Sequence, residues 1–386
     1  MGTGEMNKRV AIIAPLGAHG SAHHFYLFGQ LSGLKNNNVD VRIYTNSETD
    51  NPNINGVQFY QFFGNLFLSR FRFIKGIKYI FGVIKSVLHA RFSGVKLFHF
   101  HIFYINILVV FNFLLVRLLF GRIVLTVHDV SSFETEGDSS SFIAWAYKLA
   151  DLILTHNNFS REEIISISPC LKNRIMIVPH GNYTPFINIR NDQKRSREYL
   201  GLPSDKTILL FFGMIKKVKG LEVLLRSFKR VVDENPNTVL LIAGNLWKND
   251  FTTYQKIIDK DNLTGNIILH TRFIAHNDVE HYYCASDLVV LPYKKIYQSG
   301  VLMMTLSYSR PALVSDLPPL KEIISDNKSG FLFISEDIND LAEKLNFILS
   351  DKETLDRVGR NGNRLINENF CWDEIGRLTK KAYQTL

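Results

Sequence analysis

Short, predominantly apolar runs recur along this chain and alternate with longer stretches of helical periodicity. Residues 10–14 (VAIIA), 40–44, 97–100, 123–127 (IVLTV), 152–155 (LILT) and 175–178 form the first series. Each is too short for a stable helix, and most are rich in β-branched residues, the composition of strands buried on both faces of a parallel sheet. A glycine turn follows the first run, and residues 23–35 then read as a helix. The alternation resumes at 207, with strands at 208–212 and 288–291 and helices expected at 220–234, 278–285, 338–350 and from 372 to about 383. Strand and helix in turn mark an open, doubly wound sheet. At 386 residues the chain has the length of two ordinary domains. The polar segment 188–198 (NIRNDQKRSRE) reads as the linker. The expected organisation is α/β, with domains at 1–187 and 199–371 and a closing helix over 372–386.

Two strand ends in the second series carry the chemistry. Residues 285–293 (ASDLVVLPY) run from a strand into a proline, where a parallel sheet opens its carboxyl-end crevice. Gln298, Ser299 and Gly300 then start a helix whose first amides, Val301 included, have no partner within the helix and suit an anion. Strand 208–212 likewise runs into GMIKKVKG, 213–220, where Gly213 sits beside Lys216 and Lys219. Two cations there would neutralise a departing diphosphate.

With LLIAGN (240–245), RPALVSD (310–316) and FCWDEI (370–375), these pieces in this order resemble the nucleotide-sugar glycosyltransferases of family 4. That family has the GT-B fold, in which two Rossmann-like domains face each other across a cleft and the last helix crosses back onto the first domain. The resemblance implies a retaining transferase moving a sugar from a UDP- or GDP-linked donor by front-face attack, a donor phosphate oxygen taking the acceptor proton. It places the base near Arg272 and Phe273, the diphosphate between Lys216, Lys219, Ser299 and Gly300, and Glu322 at the crevice. His128 would hydrogen-bond the transferred sugar beside Asp129, both with catalytic roles. The acceptor would lie near Gly17, His19, Gly20, His101 and His128. The chain departs from the family at Ile296 and Met304, where paired glutamates usually stand, and thus resembles a variant built on the Ser-Gly turn.

Simpler readings compete at several positions. Ser299 is also an ordinary helix cap, Gly17 and Gly20 a tight turn, and His128 a satisfied strand-end histidine. His99 and His101 share one strand face, yet no third ligand stands at a usual metal spacing. Asp259 and Asp261 copy a metal-binding DxD, but in a charged, exposed-looking segment. No metal and no cofactor beyond the donor is expected.

Charge adds a location. Between Asp50 and Asp129 the chain has no Asp or Glu, and this stretch carries nine cations, equal to the whole net charge of +9. Within it, residues 66–92 interleave Arg70, Arg72, Lys75, Lys78 and Lys85 with Phe, Ile and Tyr, a pattern suited to anionic lipid headgroups. The apolar stretch 102–120 is broken by Asn106, Asn112 and Arg117 and reads as a buried crossover helix rather than a span. Three isolated cysteines suit a reducing compartment. No signal-peptide pattern opens the chain, and residues 1–5 read as a remnant before a native start at Met6.

The resulting expectation is a cytoplasmic enzyme, peripheral on the inner membrane face. It would glycosylate a lipid-linked or oligosaccharide acceptor in bacterial surface polysaccharide synthesis. The alternatives are a non-catalytic GT-B subunit binding nucleotide or membrane, and a DNA glucosyltransferase. The second lacks polar groove readers, so no nucleic-acid partner is expected.

Overall fold

In the computed structural model, residues 9–19, 23–68, 70–131, 140–247 and 250–386 are described. Gly20 and the segment before Arg9 lie outside them. The chain forms two units, 1–181 with 370–386 and 182–369.

Unit 1 contains β1 (Arg9–Ile13), α1 (His23–Asn36), β2 (Asp40–Tyr44), β3 (Gln58–Tyr60), α2 (Arg72–Phe92), β4 (Leu97–Ile102), α3 (Ile107–Leu118), β5 (Arg122–Val127), α4 (Ser140–Lys148), β6 (Leu152–Thr155), α5 (Asn158–Ile167) and β7 (Ile175–Ile177). All seven strands are parallel, in the order 3-2-1-4-5-6-7. The order reverses between β1 and β4, and in such sheets ligands bind outside the carboxyl ends at that switch point. The apolar stretch 102–120 becomes α3, started by the Asn106 side chain, which accepts from Val109 N at 3.0 Å. No helix of the described residues is long and apolar enough to cross a membrane.

Unit 2 contains α6 (Gln193–Leu200), β8 (Thr207–Phe212), α7 (Leu221–Glu234), β9 (Thr238–Ala243), α8 (Thr252–Lys260), β10 (Ile267–His270), α9 (His276–Ala285), β11 (Leu288–Leu291), α10 (Gly300–Ser307), β12 (Ala312–Ser315), α11 (Pro318–Lys321), β13 (Phe331–Phe333), α12 (Ile338–Leu349) and α13 (Lys352–Asn369). Its six parallel strands run 10-9-8-11-12-13 and switch between β8 and β11. Helix α7 shows why the local pattern succeeds. Leu221, Leu224, Leu225, Phe228 and Val231 fall on one face and bury against the sheet, while Lys229 and Asp233 pair on the other.

The expected linker is corrected by the structure. Asp192 caps α6, accepting from Arg195 N at 2.8 Å, and Arg197 is buried within unit 2. Its guanidinium donates to Ala285 O and Ser204 O and pairs with Asp287 at 2.7 Å. Polar composition misled because a buried guanidinium with each of its three nitrogens hydrogen-bonded reads in sequence like a solvated one.

The last helix, α14 (Trp372–Gln384), packs on α1 within unit 1. A Cβ on Gly376 would lie 2.1 Å from Gly33 C, so the two backbones touch through glycine. Asn37 closes the contact by donating to Asp373 O at 2.9 Å.

Candidate functional site

At the switch point of unit 2, β8 ends in Gly213 with φ +102°, followed by a 3-10 turn over Lys217–Lys219 and by Gly220 with φ +66°. Gly220 is required twice: its backbone is left-handed, and a Cβ would stand 1.8 Å from Pro292 O. The lysine loop is thereby held against the end of β11. Lys219 Nζ lies 3.7 Å from the centroid of the Tyr293 ring, and Lys216 Nζ lies 4.5 Å from that of Trp247. Neither aromatic partner was singled out from sequence, since both stand far along the chain from the lysines. The neighbouring cation Lys294 is drawn aside by Glu222 and by Glu336 at 3.5 Å.

Helix α10 begins next to this loop. A Cβ on Gly213 would meet Val301 Cγ2 at 3.4 Å, so the glycine turn and the first turn of α10 are neighbours. Ser299 is the cap: its buried hydroxyl accepts from Leu302 N at 3.1 Å. Over Gly300 stands Tyr183, whose hydroxyl would lie 3.1 Å from a Cβ there; this residue gave no sequence signal. Gln298 Oε1 is buried with no hydrogen-bond partner among the described residues, an acceptor in want of a donor. The structure thus brings together Gly213, Lys216, Lys219, Gln298, Ser299, Gly300 and Val301. Arg272 and Phe273 follow β10, two strands from β8, with Phe273 exposed. Glu322 caps the carboxyl end of α11 and is exposed. Ile296 is buried and Met304 lies inside α10, so neither paired-glutamate position offers a carboxylate.

In unit 1 the histidines gather at the strand ends. His156 Nδ1 lies 3.0 Å from Val178 O, His156 Nε2 lies 3.2 Å from His128 Nδ1, and His128 Nε2 lies 3.1 Å from His101 Nδ1. Because Val178 O only accepts, His156 carries its proton on Nδ1, and Nε2 accepts from His128. His128 Nε2 shares the next hydrogen bond with His101 Nδ1, and His101 Nε2 reaches Gln30 Oε1 at 3.0 Å. Both ring nitrogens of the buried His128 are therefore held by protein, with Phe103 stacked on its face at 4.5 Å. A sugar hydroxyl would have to displace one of these partners, and the satisfied strand-end reading describes His128 in this structure. Asp129 follows it, half-buried.

Burial lowers His23, His99 and His180 to about 3 and His156 to about 4, with neighbouring histidines adding to the effect at His23 and His180. His101 and His128 are lowered well below 6.5 for the same reasons. The sequence offered no third partner for a metal beside His99 and His101. The structure gathers a different trio, His23, His101 and His128, each with a ring nitrogen within 4.8 Å of the others. His101 and His128 are turned toward each other in a direct hydrogen bond.

His19 stands apart, bonded to Glu48 at 2.8 Å and stacked on Phe67 at 3.7 Å. Gly17 has φ +46°, and a Cβ there would lie 1.8 Å from Thr49 Oγ1, so a tight turn explains it. The basic residues of 66–92 divide. Arg72 and Lys75 line a cavity, Lys78 donates to Asn65 O at 3.3 Å, Lys85 lies over the Phe62 ring, and Arg70 is exposed.

Two parallel, doubly wound Rossmann-like units, the first closed by the chain's last helix, define a GT-B fold. Comparison bears this out: the structure of Anabaena Alr3699/HepE in complex with UDP and glucose superimposes with a TM-score of 0.76 at 14% identity, covering 98% of this chain and 100% of that one. Residues 192–365 match the family model described as glycosyl transferases group 1. The chain is similar to spore coat protein SA of Bacillus subtilis, 25% identical over 255 residues, covering 60% of this chain and 64% of that protein. It is also similar to the capsular polysaccharide biosynthesis glycosyltransferase CapM of Staphylococcus aureus, 25% identical with 56% and 61% covered. The matched stretches span about three fifths of these relatives' length.

Proposed function

We propose that this protein is a retaining glycosyltransferase, moving a sugar from a nucleotide-diphosphate donor to a lipid-linked or oligosaccharide acceptor in bacterial surface polysaccharide synthesis. The observation that carries the reading is the meeting of the Gly213–Gly220 loop with the first turn of α10 at the switch point of unit 2. Lys216, Lys219 and the free amides of α10 supply positive charge for a diphosphate, and Gln298 Oε1 supplies an unused acceptor. The UDP and glucose bound by the similar HepE favour UDP as the nucleotide, and the capsular role of CapM favours a polysaccharide product. Since lysines and amides supply the charge, turnover is expected to survive EDTA. Loss on chelation with recovery on Mn²⁺ would refute that.

The protein acts at the membrane surface, on this reading, through helix α2. Phe73, Ile77 and Phe81 form a stripe at four-residue spacing, with Phe73 77% and Phe81 68% exposed, beside Lys78 and Lys85. The deciding experiment is a thermal-shift screen of UDP, GDP, ADP and CMP. A ligand that binds only the folded state raises its stability, so UDP should give the largest upward shift. No shift with any nucleotide would refute the donor site.

A further inference from the structure

A cavity of about 410 Å³ lies at the switch point of unit 1, between the ends of β1 and β4, within the size range of small-molecule sites. Ala14, Pro15 and Leu16 continue β1 along one side, and His101 and Phe103 come from the end of β4. Another wall is helix α2, which presents Arg72, Lys75, Gly76 and Tyr79 at helical spacing. Leu66, Phe67, Leu108 and Val109 make much of the remaining lining apolar.

Two features show what this space accepts. Among the described residues no carboxylate lines it and no ion pair engages Arg72 or Lys75; two cations, Arg72 exposed and Lys75 half-buried, border the cavity without a described counter-charge. Gly76 is the second feature. Glycine is among the poorest helix formers, yet a Cβ on Gly76 would meet nothing within 4 Å. Gly82 in the same helix has a packing reason, because a Cβ there would strike the Phe63 ring at 2.5 Å. At Gly76 the missing side chain instead leaves the cavity open.

We propose that this cavity binds a phosphate ester of a long apolar alcohol, with the phosphate held by Arg72 and Lys75 and the first stretch of hydrocarbon lying along Leu66, Phe67, Leu108 and Val109. Guanidinium and ammonium groups both suit phosphate oxygens, and the apolar walls have no use for a free ion. The inference rests on the glycosyltransferase reading and narrows its acceptor to a lipid phosphate, as against a free oligosaccharide.

Calorimetric titration of the full chain with farnesyl phosphate, farnesol and inorganic phosphate tests it. Farnesyl phosphate should bind at least tenfold more tightly than either of the others. Gly76→Leu, which fills the cavity and favours the helix, should abolish that binding without lowering the unfolding temperature. Arg72→Gln with Lys75→Gln should weaken farnesyl phosphate at least tenfold and leave farnesol unchanged, whereas Lys148→Gln with Lys172→Gln, exposed lysines of unit 1 outside α2 and outside the cavity lining, should alter neither. Wild-type affinity in Gly76→Leu, or farnesol binding as tightly as its phosphate, overturns the proposal. Inorganic phosphate binding equally well overturns it too, by showing a plain anion site. UDP stabilisation is read on the same samples. Its absence refutes the transferase reading alone, and loss of the lipid phosphate with UDP stabilisation intact refutes this site alone.

Discussion

Single residues show where chemistry and support part company. Lys219 is placed by Gly220 behind it and by the Tyr293 ring beneath it, and in the proposed function its ammonium meets the diphosphate. Replacing it with alanine should lower turnover by roughly 10²-fold, about 2.7 kcal/mol at the transition state, and leave the unfolding free energy within about 1 kcal/mol, the scale of an exposed cation–π contact. Steady-state kinetics beside urea unfolding would check both, and undiminished turnover would refute the placement. The buried histidines act on stability instead. In the unfolded chain they titrate near 6.5, whereas in the fold His23, His99 and His180 stay neutral to about 3 and His156 to about 4. Below pH 6.5 the unfolded state binds protons that the folded state refuses, so stability falls with pH, by at most about 1.4 kcal/mol per histidine per pH unit. Melting temperatures should be flat above pH 7 and drop steeply between pH 6.5 and 4. A flat profile through that window would show that the cluster is not neutral.

At the scale of elements, helix α2 is two-sided. One face, with Arg72, Lys75 and Gly76, borders the cavity, and another carries Phe73, Ile77, Phe81, Lys78 and Lys85. Each basic residue near an anionic surface contributes about 1 kcal/mol, and that attraction decays within a Debye length of about 8 Å at physiological salt. Changing Arg70, Lys78 and Lys85 to Gln should therefore weaken co-sedimentation with anionic vesicles by about 10²-fold, with nucleotide-induced stabilisation preserved. Equal binding to neutral and anionic vesicles would reject the membrane role. Helix α6 makes the opposite point. Its polar sequence suggested a linker, and the ion pair of Arg197 with Asp287 fixes it inside unit 2.

For the whole molecule, the end of the chain completes the beginning. Trp372 packs against Tyr26 at 5.2 Å between ring centroids, and a Cβ on Gly29 or Gly181 would strike the indole. Trp372→Ala leaves a cavity in the core of unit 1 and should cost about 3–5 kcal/mol, read as a lower urea midpoint. An unchanged midpoint would mean that α14 adds little to unit 1.

Much of this was legible in order along the chain. Apolar runs at 10–14, 123–127 and 208–212 can hardly be anything but buried parallel strands, and Ser299-Gly300 after such a strand can hardly avoid starting a helix, because these are local consequences of burial and backbone hydrogen bonding. The glycine-lysine loop carried its chemistry in adjacent residues. Other features depend on distance in sequence. Tyr183 over Gly300, Tyr293 beneath Lys219, and the meeting of His101, His128 and His156 join separate strand ends, and nothing in the spacing of those residues announces them. The cavity beside Gly76 is of the same kind. The sequence determined the succession of strands, helices and local turns; only tertiary packing decided which strand ends share a crevice, which cations pair with carboxylates, and whether a histidine faces a ligand or another histidine.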